Sequence, residues 1–209
     1  LDDEARSPAG LTQASFGRLR EPMLRLVQWG RTFGITSALG SWKIGDLSNT
    51  ASQLGQSPLR SPSVFNFFRP GYVPPSTALA TSKAVAPEFQ IVNESTVGGY
   101  LNYLQGVVRN GLYVNAPDQP NAGSNASNGY DITAAYTGEL ALVSDATALV
   151  KRLSLLLCAD QLAASTQTLI VNALNATPVT AASTDAVKRN RVAAAVLMVM
   201  ASAEYLVQK

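Results

Sequence analysis

The chain has 209 residues, of which 46% are hydrophobic and only 14% are charged, with a formal net charge of +2. This length allows one ordinary domain with a full core, and residues 1–209 are predicted to form a single domain. The sequence contains no histidine and one cysteine, Cys158. Within this chain, that composition excludes Ser-His-Asp and Cys-His catalysis, histidine general bases, an intrachain disulfide and the usual tetrahedral zinc sites.

The charge and hydropathy patterns argue against nucleic-acid and membrane partners. The lysines and arginines form no dense basic patch, so no nucleic-acid partner is expected. The longest strongly apolar run, Val192–Ala201, is much shorter than the roughly 20 residues of a membrane-spanning helix. The first residues, Leu1 to Arg6, are charged and lack the apolar segment of a signal peptide, and we interpret them as a processed or truncated end.

Helical patterns dominate the sequence. Pro22 begins a segment whose apolar residues recur three and four apart as far as Phe33, and Gly34 follows as a natural stop. Asn93 is a candidate cap for the clearest helix, which we expect to end near Gly111. Three glycines lie inside this helix, and each lowers helix stability by roughly 1 kcal/mol relative to alanine. We therefore expect another backbone to pack closely against them. They are Gly98, Gly99 and Gly106.

Two stretches of the chain are predicted to be irregular. Glycine, proline and serine are frequent from Gly40 to Pro87, where short helical turns are expected only near Ala51–Leu54 and Val64–Phe68. Residues Asn115 to Asp131 are rich in turn-forming residues and poor in hydrophobic ones, which predicts a second loop. Long loops in compact domains are often functional or packed by their own side chains.

Three further helices are predicted in the last third of the chain. Asp145 and Ser165 are candidate caps for the first two, and Thr184 opens the last, which is expected to continue to about Ala203. Because Val192–Ala201 is apolar all round, this last helix should be central and buried. The predicted fold is mainly α, an irregular helical domain of about five main helices with long loops and little or no sheet.

Several separate stretches carry a family resemblance. They are Arg20–Arg25 with Ser57–Tyr72, then Ala86–Gln90, and the ending Val199–Gln208. Together they resemble the carboxy-terminal part of a bacterial family known as domain of unknown function 1800, over essentially the whole chain. The resemblance implies an exported bacterial protein, periplasmic or extracellular, that is longer than this chain, and it carries over no catalytic residue. Where the family ending would read Ser-Pro-Glu-Tyr, this chain has Ala203 instead of proline, which should let the final helix continue.

The most distinctive candidate binding site combines aromatic residues with flanking arginines in a proline-stiffened segment. Its members are Arg60, Phe65, Phe67, Phe68, Arg69 and Tyr72. Exposed aromatics beside arginines can form a stacking platform for a sugar ring, a peptide or a partner surface. The alternative is that the phenylalanines anchor the loop on the core while the arginines pair with carboxylates. Burial of all three phenylalanines would exclude the platform.

The remaining candidate residues favour structural roles, and no catalytic residue is assigned. The oxygen-bearing side chains of the loop from Asn115 to Asp131 do not match a calcium-binding spacing, so no metal and no cofactor is predicted. Cys158 follows three leucines and is expected to be a buried, unreactive thiol. Glu88, Glu94 and Glu139 are the acids nearest to the irregular regions, and convergence of two of them would indicate a hydrolytic pair.

Two functions are compatible with the sequence, and whether the chain is an enzyme stays open. The first is a structural or interaction module in a larger chain or extracellular assembly, whose partners are the missing amino-terminal part of the same protein or other subunits. The second is the cleft-forming part of a hydrolase whose catalytic residues lie mainly in that missing region. This alternative requires a concave pocket in which at least two of five charged residues converge. They are Arg60, Arg69, Glu88, Glu94 and Glu139. The oligomeric state is not predicted.

Overall fold

A computed structural model describes residues 7–13, 16–115 and 128–209. The helices in these ranges are α1 (Pro8–Thr12), α2 (Pro22–Thr32), α3 (Ala78–Thr81), α4 (Glu94–Asn110), α5 (Thr137–Leu140), α6 (Ala146–Cys158), α7 (Ala164–Asn175), α8 (Asp185–Met200) and α9 (Ala203–Leu206). A short 3-10 helix spans Pro87–Gln90. The strands are β1 (Arg18–Leu19), β2 (Thr36–Ser37), β3 (Leu112–Asn115), β4 (Asn128–Thr133) and β5 (Val207–Gln208).

The five predicted main helices are confirmed as α2, α4, α6, α7 and α8. Helix α8 lies at the centre, where it packs against α4, α6 and α7 with Val192 and Val199 completely buried. Thr184 caps this helix, and Asn93 and Asp145 cap α4 and α6, as the sequence predicts. The caps satisfy backbone N–H groups that a helix leaves free, and the apolar stripes of the helices then supply the buried surface.

Two predicted helix boundaries are wrong. Helix α7 begins one residue before Ser165, and the carboxylate of Glu204 accepts a hydrogen bond from the Ala163 N–H at that end, at 3.0 Å. Helix α8 stops before Ala203, because Ser202 has an extended backbone and its side chain caps the separate helix α9. With these bounds, no helix among the described residues has both the length and the apolar content needed to cross a membrane.

Two small antiparallel sheets of short strands accompany the helices, so the fold is mainly α with little sheet, as predicted. β1 pairs with β5, and β4 lies between β2 and β3. Strand β4 includes residues 128–131 of the predicted loop, although their composition favours turns. The strand is held by its pairing with β3 and by Asp131, whose carboxylate accepts hydrogen bonds from the Leu39 N–H at 2.8 Å and from the Ser37 hydroxyl. Residues 116–127 of that predicted loop lie outside the described residues.

The stretch from Gly40 to Pro87 is irregular, as predicted, apart from the four-residue helix α3. Of the short helical turns expected near 51–54 and 64–68, the first is a single turn closed by a hydrogen bond from the Gln53 N–H to the Asn49 carbonyl at 3.0 Å, and the second is a non-helical turn. The first part of the stretch is nevertheless well anchored. Leu47 and Leu54 are buried in the core, and Gln56 accepts a hydrogen bond from the Met23 N–H at 3.1 Å, at the start of α2. Two buried leucines and one amide thus hold this segment beside α2.

The three glycines of α4 differ in their surroundings. A Cβ at Gly99 would lie 2.3 Å from the carbonyl oxygen of Ala51, so the backbone of residues 51–52 packs directly on the helix there, as predicted. A Cβ at Gly98 or Gly106 would meet no heavy atom within 4 Å, so the same prediction is wrong for these two positions. Gly99 therefore holds the irregular stretch against α4, whereas Gly98 and Gly106 weaken the helix without permitting a close contact.

Gly99→Ala and Gly98→Ala are expected to change stability in opposite directions. Alanine at position 99 forces the Ala51 backbone away from α4 and should lower the free energy of unfolding by about 2 kcal/mol, as overpacking does. Alanine at position 98 should raise it by about 0.5–1 kcal/mol through helix propensity alone. Urea unfolding followed by circular dichroism compares the two variants with the parent, and changes of the same sign would contradict the close contact at Gly99.

Candidate functional site

Helix α2 is fixed to the core by aromatic side chains. Trp29 is completely buried, and its indole N–H donates to the hydroxyl of Tyr136 at 2.8 Å. The same hydroxyl donates to the carbonyl of Val108 at 3.0 Å, in the last turn of α4, where helix carbonyls lack partners. Burial raises the pKa of Tyr136 well above its ordinary value, so the hydroxyl stays protonated far into the alkaline range. These bonds set the position of α2, which forms one side of the site described next.

Tyr136→Phe is expected to lower the free energy of unfolding by about 2–4 kcal/mol. The ring contact with Phe33 is retained, but the Trp29 N–H and the Val108 carbonyl lose their partner, and each buried group left unpaired costs about 1–3 kcal/mol. The control is Tyr103→Phe, since no hydrogen bond of the Tyr103 hydroxyl is found among the described residues. That variant should differ from the parent by less than about 0.5 kcal/mol. Chemical unfolding of both proteins is the measurement, and equal stabilities would show that the Tyr136 bonds contribute little.

A cleft of about 990 Å³ lies between α2 and two segments of the irregular stretch, residues 42–47 and 57–60. The buried side chains of Leu26, Leu47 and Leu112 line it and also belong to the core, so the core itself forms the deepest part of the cleft. Its volume is at the upper end of the range for ligand pockets, about 300–1,000 Å³. The cleft can therefore hold a large ligand or a segment of another protein.

Large apolar side chains of the cleft remain exposed to solvent. Trp42 is 56% exposed, and Val27 and Ile44 are also exposed. Leu59 is fully exposed at the edge of the same cleft. Single exposed apolar residues are ordinary, but a continuous group of them marks an interaction surface. We call the cleft together with these four side chains the cleft face.

Charged groups are few on the cleft face. Asp46 and Arg60 face each other with 3.8 Å between Oδ2 and Nε, and because both side chains are exposed the pair contributes little to stability. The pKa of the Asp46 carboxyl is lowered mainly by hydrogen bonds from the hydroxyl and the N–H of Ser48, and less by Arg60. Arg31, in the last turn of α2, adds a second cation. The cleft face is thus an apolar recess with a weakly positive edge.

The predicted aromatic site forms an arm, residues 59–72, that begins at the edge of the cleft. Phe65 is 59% exposed, so the three phenylalanines are not all buried and the platform is not excluded. The other members are Phe67, Phe68 and Tyr72, which are half-buried, and Arg60 and Arg69, which are exposed. Of the six predicted residues, only Arg60 lines the cleft. The arm is therefore joined to the cleft face through Leu59 and Arg60, and its aromatic residues lie outside the cleft lining.

Hydrogen bonds fix the far end of the arm and shape its tip. The Arg69 N–H donates to Oε1 of Gln90 at 2.8 Å, and the Ala86 N–H donates to the Tyr72 carbonyl at 2.9 Å. At the tip, the Phe65 N–H donates to the hydroxyl oxygen of Ser63 at 3.2 Å, within a tight turn. The arm thus presents its aromatic residues on a backbone that is held at defined points.

Leu59 combines full exposure with an unfavourable backbone conformation. Its φ of +59° lies in the left-handed region, which costs a branched L residue roughly 1–2 kcal/mol. The side chain lies at the edge of the cleft but is not buried, so no packing within the described residues compensates for this cost. Strained residues of this kind cluster at functional sites.

Leu59→Asn is expected to raise the free energy of unfolding by about 0.5–1 kcal/mol, because asparagine tolerates the left-handed region and no buried contact is lost. Leu169→Asn is the matched control, since Leu169 is 70% exposed but lies within helix α7. That variant should lose up to about 0.5 kcal/mol of helix propensity. Differential scanning calorimetry separates the two effects, and a destabilised Leu59→Asn protein would refute the assigned strain.

The candidate acids do not converge. Glu88 is buried and accepts from Arg18, with 2.6 Å between the paired atoms. Glu139 is also buried and pairs with Arg152 at 2.6 Å. Glu94 lies in the first turn of α4, where a carboxylate interacts favourably with the helix dipole. Each acid has a structural role, and none of the three lines the cleft.

Cys158 is buried, as predicted. Burial raises the pKa of its thiol to about 11, so the thiolate needed for nucleophilic chemistry is scarce near neutral pH. Within ranges 7–13, 16–115 and 128–209, no group of three or more histidine, cysteine, aspartate or glutamate side chains is placed to hold a metal ion.

The sequence pattern missed the cleft and its most exposed aromatic residue. Trp42 lies in a glycine- and serine-rich segment with no periodicity, so nothing local predicts what it contacts. A tryptophan in a segment that forms no amphipathic element was the available signal. The cleft itself joins α2 with residues 42–60 and Leu112, and a spacing rule within one segment cannot reveal such a combination.

Comparison with known proteins identifies a family without an activity. A family model described as Protein of unknown function (DUF1800) matches residues 1–207, so the chain belongs to that family. None of the curated proteins and none of the solved structures matches the chain.

Proposed function

We propose that this member of the DUF1800 family is an interaction module whose cleft face and arm together dock another polypeptide. The observation that carries the proposal is the exposure of Trp42 and Leu59 at an open apolar cleft, from which the chain continues into the arm with its exposed Phe65. Exposed aromatic and aliphatic residues around a recess are what protein interfaces use as anchors.

The fold supports this role because the exposed side chains of the proposed surface are not needed to build the core. Helices α4, α6, α7 and α8 pack against one another without the arm, and Trp42 contributes little to the buried cluster. The strained backbone of Leu59 also supports this role, because the exposed leucine lies where a partner can bury it. Side chains that cost stability without serving the core are expected at functional surfaces.

The proposed partner is the amino-terminal part of a longer protein of this family or another subunit of an extracellular assembly. The weakly positive edge formed by Arg31 and Arg60 suits a partner that brings an acidic group to an apolar contact. A periplasmic or extracellular location is part of the proposal. It is supported by the family resemblance and by the low content of charged residues, 14%.

The alternative, a hydrolase cleft, has less support. It requires at least two of the five named charged residues in one pocket, and only Arg60 lines the cleft. Glu88 and Glu139 are instead engaged by arginines at 2.6 Å in separate parts of the fold. A cleft with one exposed ion pair and apolar surroundings is better suited to binding than to acid–base chemistry.

Site-specific photocrosslinking in the producing bacterium tests the proposal. A benzophenone side chain placed at Trp42 or at Phe65 should form a covalent adduct with a polypeptide, because both positions lie on the proposed interface. The same group at Leu169 is the matched control, since that leucine is at least as accessible but lies on α7 and does not line the cleft. Mass spectrometry of the adducts identifies the polypeptide that occupies the surface.

Adducts of one defined mass at positions 42 and 65, but not at 169, would support the interaction module. Absence of adducts at both positions, or a similar pattern at all three, would contradict it. An adduct within the same polypeptide would identify another part of the longer protein as the occupant, and an adduct with a different polypeptide would identify a separate subunit.

A further inference from the structure

A second recess, separate from the cleft, is lined by three tyrosines that come from three different elements. Tyr103 lies on α4, Tyr113 on β3 and Tyr130 on β4. Its volume is about 360 Å³, at the lower end of the range for ligand sites. We call this recess the tyrosine pocket. Asn102 and Ser52 contribute polar groups to its lining.

The tyrosines of this pocket are brought together by strand pairing. Tyr113 and Tyr130 are direct partners in the β3–β4 register, with ring centres 5.7 Å apart at right angles. They remain 48% and 59% exposed, whereas Tyr103 is half-buried beside them. Burial raises the pKa of Tyr103 to about 12, so its hydroxyl is protonated and able to donate a hydrogen bond. The pocket thus has aromatic surface with hydroxyl groups at its edge.

Gly106 keeps part of this pocket open. It lies inside α4, where glycine costs about 1 kcal/mol relative to alanine, yet a Cβ there would meet nothing within 4 Å. Unlike Gly99, Gly106 is therefore not required by a neighbouring backbone. Gly106 does line the tyrosine pocket, where any side chain would occupy ligand space. A local cost without a packing reason is typical of a functional position.

The polar groups of the pocket are also positioned by the fold. The close contact between Gly99 and the Ala51 backbone holds residues 51–52 against α4, which places Ser52 beside the tyrosines. Asn102 precedes Tyr103 on the same helix and is exposed. Between them, a hydroxyl and an amide offer both donors and acceptors. No charged side chain is among the described residues that line the pocket, so an ionic ligand gains no partner there.

We propose that the tyrosine pocket binds a neutral saccharide. The C–H faces of a sugar ring pack against aromatic rings, and its hydroxyl groups exchange hydrogen bonds with Asn102, Ser52 and the tyrosine hydroxyls. The volume suits one sugar residue or the end of a glycan chain. A proline-rich peptide also packs on tyrosines, but it needs a groove that holds several residues, and a volume of about 360 Å³ is small for that.

The test begins with the purified protein on an array of neutral oligosaccharides of the gluco-, xylo-, manno-, galacto- and N-acetylglucosamine series. The best oligosaccharide is then titrated by isothermal calorimetry against the parent and three variants. Tyr113→Ala and Gly106→Leu should each weaken its binding about tenfold or more, the first by removing an aromatic contact and the second by filling the pocket. Gly98→Leu is the matched control, because Gly98 is open in the same helix but does not line the pocket.

Binding of a neutral oligosaccharide that Tyr113→Ala and Gly106→Leu weaken and Gly98→Leu leaves unchanged would establish the site. Absence of millimolar or tighter binding to every oligosaccharide would overturn the proposal. So would equal binding by all variants, or competition for the same pocket by a polyproline peptide but by no glycan. Thermal unfolding confirms that each variant is folded, and Tyr113→Ala on the exposed face of β3 decides the outcome if Gly106→Leu does not fold. Since Trp42 and Phe65 do not line this pocket, the result is independent of partner docking at the cleft face.

Discussion

The position of helix α2 depends on two buried tyrosine hydroxyls that come from distant parts of the chain. Tyr136 accepts a hydrogen bond from Trp29 near the end of the helix, and Tyr205 donates to the Arg25 carbonyl, at 2.7 Å, nearer its start. Arg20, just before the helix, places its guanidinium 4.3 Å from the centre of the Tyr205 ring. Because the two tyrosine hydrogen bonds are removed from water, they are stronger than equivalent bonds at the surface. The surface that α2 contributes to the cleft is therefore formed before any partner binds, which lowers the entropic cost of binding.

Helix α2 contributes side chains both to the core and to the exposed wall of the cleft. Leu26 is buried, while Val27, the next residue, is exposed in the cleft. A Cβ at Gly30 would lie 2.7 Å from Cδ1 of Ile35, so the glycine lets the Ile35 side chain pack directly on the helix, and both residues line the same cleft. The irregular stretch then needs only a few buried residues, such as Leu54, to stay attached. Its other apolar side chains are left at the surface, where they are available to a partner.

The sequence predicts features that depend on neighbouring residues, and it does not predict features that depend on pairing between distant segments. Asn93 and Thr184 were identifiable as caps, because capping and helical periodicity act within four residues along the chain. Strand β4 was not identifiable, because residues 128–131 favour turns and only pairing with β3 makes them a strand. The same limit applies to the sites. Arg60 and the arm could be proposed from composition. In contrast, only the tertiary structure brings Trp42 to the same cleft as α2 and pairs Tyr113 with Tyr130.

Strand β3 separates the two proposed surfaces. Successive residues of a strand point to opposite faces, and here Leu112 lines the cleft while Tyr113 lines the tyrosine pocket. A polypeptide on the cleft face and a saccharide in the tyrosine pocket would therefore not compete for the same atoms. Neither surface relies on strong ion pairs, since the cleft has one exposed pair and the pocket lining has no charged residue among those described. In a chain with so few charges, selectivity at both surfaces would come from shape, apolar contact and hydrogen bonding, and would depend only weakly on salt.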